Sequence, residues 1–175
     1  MAQRVILIRA VNVGGAKLPM AELRELATDL GATDISTYIA SGNLLCNPPG
    51  DPADFDRALE AAITDRYGYA REVISRSADD LAVALAEHPF EVVEPKYSYI
   101  YCLTGVPGSS AVAAFHKRDF GSDEFEVIGD NLHIRYEVGA GTSKLTAPVI
   151  AKGLGVQGTG RNLRTVEKLI ELARH

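Results

Sequence analysis

No apolar run in this 175-residue chain approaches the ~20 residues that a membrane-spanning helix needs. The most apolar stretch near the start, MAQRVILIRAVNV, is broken by Arg9 and has no small-residue cleavage site behind it. It reads as a first strand rather than an export signal, so the expectation is a cytoplasmic protein with no membrane partner. Cysteine is scarce. Cys46 and Cys102 each sit in an apolar, strand-like run, where a thiol behaves as a small hydrophobe, and two isolated cysteines supply no disulfide framework. Catalytic and metal signatures are missing too. His88 precedes Pro89, His116 stands beside Lys117 and Arg118, His133 alternates within a strand, and His175 is terminal. None has ligand spacing to a cysteine or carboxylate, so no metal is expected. There is no nucleophile elbow, and the glycines at 14 and 15 have neither Walker A nor Rossmann spacing. These absences leave the cofactor undefined and the question of catalysis open.

What is present is ordinary in bulk and uneven in distribution. An apolar fraction of 46% and a charged fraction of 23% suit a globular domain. The net charge of -5 argues against a general nucleic-acid binder. Residues 140–175, however, hold six Lys or Arg against two Glu, and residues 1–139 hold twelve against twenty-one. A basic segment therefore closes an acidic chain.

The pattern of elements occurs twice. Residues 4–8, Arg-Val-Ile-Leu-Ile, form a continuous apolar run, as in a central strand buried on both faces. Gly14 and Gly15 end it, and Pro19 opens a helix with Leu23, Leu26, Ala27 and Leu30 on one face. Residues 37–39 and 44–46 flank Ser41-Gly42-Asn43 as a hairpin. A second helix starts at Asp51-Pro52, and residues 71–74 read as a strand. Ser77 and Asp80 then cap a connecting helix over about 78–87, which Pro89 stops. The order resumes with a strand at 98–103, a glycine loop at 105–108, a helix including 112–115 and a hairpin over 125–136 turning at Gly129-Asp130-Asn131. Helices follow at 144–154 and 162–173, with no final strand in evidence. The fold class expected is α+β, a tandem duplication of two ferredoxin-like (βαββαβ-type) units. The first covers 1–76, the connecting helix 77–90, and the second 91–175, ending in helices.

Three segments could hold a ligand. In the first, Arg9, Asn12, Gly14, Gly15 and Lys17 surround a glycine-rich turn between a buried strand and a helix N-terminus, where backbone N–H groups can converge on an anion. In the second, Arg161, Asn162 and Thr165 open the last helix, with Arg161, Arg164, Thr165 and Lys168 opposite its apolar face; Lys144 adds a further cation. Arginine there opposes the helix dipole and suits a bidentate oxyanion. The third is the hairpin turn with Ser41 and Asn43. Each also has a purely structural reading: a left-handed turn, a solvated helix face, a hairpin. On ferredoxin-like topology the first and third segments are expected at opposite ends of the sheet. Tyr97, Tyr99 and Tyr101 alternate along one strand, either as a base-stacking platform or as an ordinary half-buried face.

Taken together, Arg9-Ala10-Val11-Asn12-Val13-Gly14-Gly15, Thr37-Tyr38-Ile39-Ala40-Ser41-Gly42-Asn43 and Thr159-Gly160-Arg161-Asn162-Leu163-Arg164-Thr165 resemble the bacterial family called domain of unknown function 1697. Its motifs run R-G-[IV]-N-V-G-G, T-Y-[IL]-x-S-G-N and T-x-R-N-x-x-T in that order. The resemblance implies a duplicated ferredoxin-like architecture and no particular activity. Ala10 stands where the family usually has glycine, which suggests a backbone without positive φ there. Leu163 replaces a frequent tryptophan and removes aromatic stacking at that point. The function expected is binding of a small anionic or phosphorylated ligand, a nucleotide among them. The alternatives are an RNA-associated module using the basic C-terminal segment, and a non-enzymatic interaction protein or homodimer.

Overall fold

A computed structural model describes residues 3–175. Two compact units emerge, one running to Ala82 and taking in Lys168–His175, the other covering Val83–Glu167. In the first, β1 (Arg4–Ile8), β2 (Thr33–Thr37), β3 (Asn43–Asn47) and β4 (Val73–Ser77) form an antiparallel sheet in the order β2-β3-β1-β4. Val5, Ile6, Leu7 and Ile8 are all buried, as the unbroken apolar run requires. The alternate residues Ile6, Ile8, Leu44, Cys46 and Val73 pack on α1 (Met20–Asp29) and α2 (Pro52–Tyr67) through Leu23, Leu26, Ala27, Phe55, Leu59 and Ile63. α2 is specified locally at both ends. Asp51 accepts a hydrogen bond from the Ala53 N–H at 2.8 Å, and Gly68 closes the helix at φ 78°.

The second unit repeats the plan. β5 (Ser98–Leu103), β6 (Glu124–Ile128), β7 (Asn131–Arg135) and β8 (Gly158–Asn162) are ordered β6-β7-β5-β8. Tyr101, Leu103, Leu132 and Ile134 pack with Phe115 of α4 (Ser109–His116) and with Ile150 and Leu154 of α5 (Ala147–Leu154). Tyr101 is 9% exposed, so its ring is a core element and not an open stacking surface. Both cysteines are buried thiols.

β8 corrects the sequence reading, which left the second half without a final strand. Gly-Thr-Gly-Arg-Asn carries almost no strand propensity. It is held by pairing with β5, and its glycines are required by what lies beside them. A Cβ on Gly160 would stand 2.5 Å from the Tyr101 ring, and one on Gly158 would stand 2.7 Å from Leu103. The repeat also extends further than expected. α3 (Ala78–Ala86) follows β4 as α6 (Leu163–Ala173) follows β8. The last residue of each strand caps the helix behind it. Ser77 Oγ accepts from the Asp80 N–H at 3.0 Å, and Asn162 Oδ1 from the Thr165 N–H at 2.9 Å.

Candidate functional site

β1 and β2 are each antiparallel to β3, so they run in the same direction and end on the same side. The loop after β1 and the turn after β2 therefore meet, contrary to the expectation that the first and third segments lie at opposite ends. Ile8 N–H donates to Gly42 O at 2.9 Å, and Asn12 Nδ2 donates to Ala40 O at 2.6 Å. Gly42 is obligatory here. Its φ is 88°, and a Cβ would stand 2.8 Å from Val11 and 3.0 Å from Ile8 O.

By the same parity the segment between α2 and β4 reaches this end, a contribution that sequence motifs alone did not indicate. Arg9 holds Glu72 through two hydrogen bonds, at 3.0 and 3.1 Å. Arg71 Nε donates to Ala10 O at 3.2 Å, and the Tyr69 hydroxyl donates to Lys17 O at 2.6 Å. Arg9 thus has the partner that a charge at a strand end requires, and most of its charge is answered inside the protein.

The predicted residues of this unit divide into framework and surface. Asn12, at φ 57°, uses its whole amide to fix the loop: Oδ1 accepts from Leu18 N at 2.8 Å, and Nδ2 also donates to Leu18 O at 2.8 Å. Asn43 is fully buried, and its Nδ2 donates to Tyr38 O and to Ser41 Oγ, both at 2.9 Å. Asn43 and Ser41 therefore shape the hairpin. Gly14, Gly15 and Lys17 are exposed. Together with Asn12, Pro19, Met20 and Ala40 they line a cleft of about 400 Å³. Among the described residues, the N–H groups of Gly14 and Gly15 have no acceptor and Lys17 has no carboxylate partner. α1 begins beside them at Pro19 without a side-chain cap. The backbone is strained around the cleft. Ala10 has φ 52°, which overturns the inference drawn from its replacing glycine, and Ile39 has φ 50°. A β-branched residue in that region is a true outlier, at a cost of roughly 1–3 kcal/mol.

Lys144, Arg161, Asn162 and Thr165 belong to the second unit. Arg161 is not on an exposed helix face. It lies on β8, 8% exposed, with Nη1 donating to Thr159 Oγ1 at 2.6 Å and to Gly160 O at 2.9 Å. Loss of hydration brings its pKa down to about 10. The reading failed because the helix was started at Asn162 and Arg161 was projected onto it, when Asn162 ends a strand. Asn162 is the cap and Thr165 supplies the capped N–H. Lys144 is exposed ahead of α5. Of the six cations in the basic segment, Arg161 is buried, Lys168 pairs with Glu171 at 3.3 Å and Arg174 with Asp79 at 2.8 Å.

A pair of histidines, unconnected in sequence, also comes together in the second unit. His88 Nδ1 and His133 Nδ1 are 2.9 Å apart, so one donates and the other accepts. His133 is fully buried, and its pKa falls to about 4, first through burial and then through His88. Among the described residues, no cluster of three or more His, Cys, Asp or Glu is suited to a metal ion.

Fold and site together define a tandem pair of ferredoxin-like units carrying a glycine-turn cleft at one sheet end of the first. The family model described as "Protein of unknown function (DUF1697)" matches residues 1–133, and the chain belongs to that family. It is similar in fold to "conserved bacterial protein SP0830 from Streptococcus pneumoniae", with 21% identity and a TM-score of 0.77 over 100% of this chain and 99% of that one. A "putative glycine cleavage system transcriptional repressor" is 12% identical over 92% and 97% of the two chains, with a TM-score of 0.23. No curated protein matches the chain. No helix among the described residues is long and apolar enough to cross a membrane.

Proposed function

We propose that this protein binds a small anionic, phosphate-bearing ligand in the cleft formed by the β1–α1 loop of its first unit. The observation that carries the reading is the set of unused donors around that cleft. Gly14, Gly15, Lys17 and the uncapped start of α1 line a space of about 400 Å³. Glycine turns ahead of a helix suit phosphate because the backbone can approach the oxygens closely and the dipole favours negative charge. The roles differ from those the motif suggested. Arg9 and Asn12 hold the loop through Glu72, Leu18 and Ala40, whereas Gly14, Gly15 and Lys17 make the contacts. Burial of Tyr101 and Arg161 weighs against the RNA reading. The proposal is of binding alone.

The test is melting temperature against inorganic phosphate, sulfate and nucleoside monophosphates at fixed ionic strength. A ligand at 100 times its Kd adds about 2.7 kcal/mol of stability, a shift of several degrees. Lys17→Ala should remove most of the shift. A flat response to every anion contradicts the proposal.

A further inference from the structure

At the other end of the same sheet lies a second cleft, of about 540 Å³, between the start of β1, the end of β3, the first residue of α2 and the β4–α3 junction. Pro48, Pro52 and Ala78 give it apolar walls. Its polar side chains are accounted for one after another. Gln3 donates to Asp34 O, Asn47 Nδ2 donates to Asp34 Oδ2 at 2.8 Å, Ser77 caps α3, and Asp79 pairs with Arg174. Arg4 is the cation of the lining and keeps N–H groups that no bond uses. Its Nε donates to Ser75 Oγ at 2.9 Å and its Nη2 to Ser75 O at 3.4 Å. Ser75 Oγ in turn donates to the buried Asp56 Oδ2 at 2.6 Å, which fixes the hydroxyl and hence the guanidinium plane. Among the described residues, Nη1 has no acceptor, and the carboxylate that answers the charge of Arg4 is Asp56, reached through Ser75 rather than by direct contact.

We propose that this cleft is a binding site for a small organic acid, whose carboxylate is held by Arg4 and whose apolar body lies against Pro48, Pro52 and Ala78. A fixed guanidinium with its outer N–H groups open matches a planar carboxylate. The carboxylate of Asp79 in the lining and that of Asp56 behind Ser75 disfavour a dianion, which separates this site from a phosphate site. A cleft with apolar walls and a few oriented polar groups is also the usual form of a small-molecule pocket.

The test uses benzoate, with benzamide as the neutral molecule of the same shape and inorganic phosphate as the competing anion. The full-length protein is titrated while the Arg4 Nε–Hε resonance is followed by NMR. Benzoate should shift that resonance saturably, benzamide and phosphate should not, and Arg4→Lys should bind benzoate at least about tenfold more weakly because the fork is lost. The wild-type resonance decides the matter even if the variant folds poorly. No saturable shift with benzoate, an equal shift with benzamide, a stronger one with phosphate, or unchanged affinity in Arg4→Lys would each overturn the assignment. Lys17→Ala should leave the benzoate response intact, so the two sites are tested independently.

Discussion

Ala10 and Ile39 both hold a left-handed backbone without being glycine, and the strain this causes is measurable. Ala10→Gly should raise stability by about 0.5–1 kcal/mol, since relief of ~1–2 kcal/mol of αL strain outweighs the extra freedom of the unfolded glycine. Denaturant unfolding measures it, and a destabilised variant would mean that the Ala10 methyl is needed for packing. Arg161 and Asn162 are neighbours with different roles. Asn162→Ala removes a cap and should cost about 1 kcal/mol. Arg161→Ala leaves the Thr159 hydroxyl and the Gly160 carbonyl without their charged donor and should cost clearly more, about 2–3 kcal/mol. Equal losses in the two variants would return Arg161 to the surface role that its sequence position suggests. That role was misread because a strand end and a helix start are one residue apart here, and motif spacing does not say which side of the junction a side chain is on.

At the level of elements, apolar periodicity made most of the fold legible. β1 and β5, α1 and α2, and the second hairpin were visible because their residues alternate or recur as the structure demands, whereas the leading strand of the first hairpin is β2 at Thr33–Thr37 and not 37–39, where Ile39 holds a positive φ. The Ser77 cap was visible for a local reason, a side chain serving the N–H three residues on. β8 was not, because Gly-Thr-Gly-Arg-Asn becomes a strand only when Tyr101 and Leu103 need room on its surface. Gly160→Ala should therefore destabilise the second unit by about 1–3 kcal/mol through overpacking. In a Tyr101→Leu background the same change should cost much less, and a double-mutant cycle measures the coupling. Additive effects would disprove the close approach. Convergence of the β1–α1 and β2–β3 loops was available from strand parity alone. The errors there were of topology, and the Arg9–Glu72 pair follows once α2–β4 is placed at the same end.

For the molecule as a whole, duplication has kept the sheet order and the capped helix behind each final strand, while the polar chemistry of the two units has diverged. The second unit carries the His88–His133 pair, in which His133 is buried, and its consequence is a pH dependence of known sign. The folded pKa of His133, about 4, lies below the ordinary value of roughly 6.5. Between those limits the unfolded chain binds a proton that the folded one excludes, so stability is full above about pH 6.5 and falls as the pH drops towards 4. The loss is on the order of 3 kcal/mol at most. Urea unfolding at pH 7.5 and 4.5 should show a smaller difference for His133→Gln than for the wild type. The same difference in both would exclude the pair as its cause.

On the proposed function the Gly14–Gly15 turn, and not the motif arginines, is the surface that meets an anion. The most direct test follows the backbone amides of ¹⁵N-labelled protein during titration with inorganic phosphate at constant ionic strength. The Gly14 and Gly15 resonances should move saturably and together, with the first-turn amides of α1 following, and Lys17→Ala should weaken the response several-fold. Saturable shifts elsewhere with Gly14 and Gly15 unmoved would contradict the account.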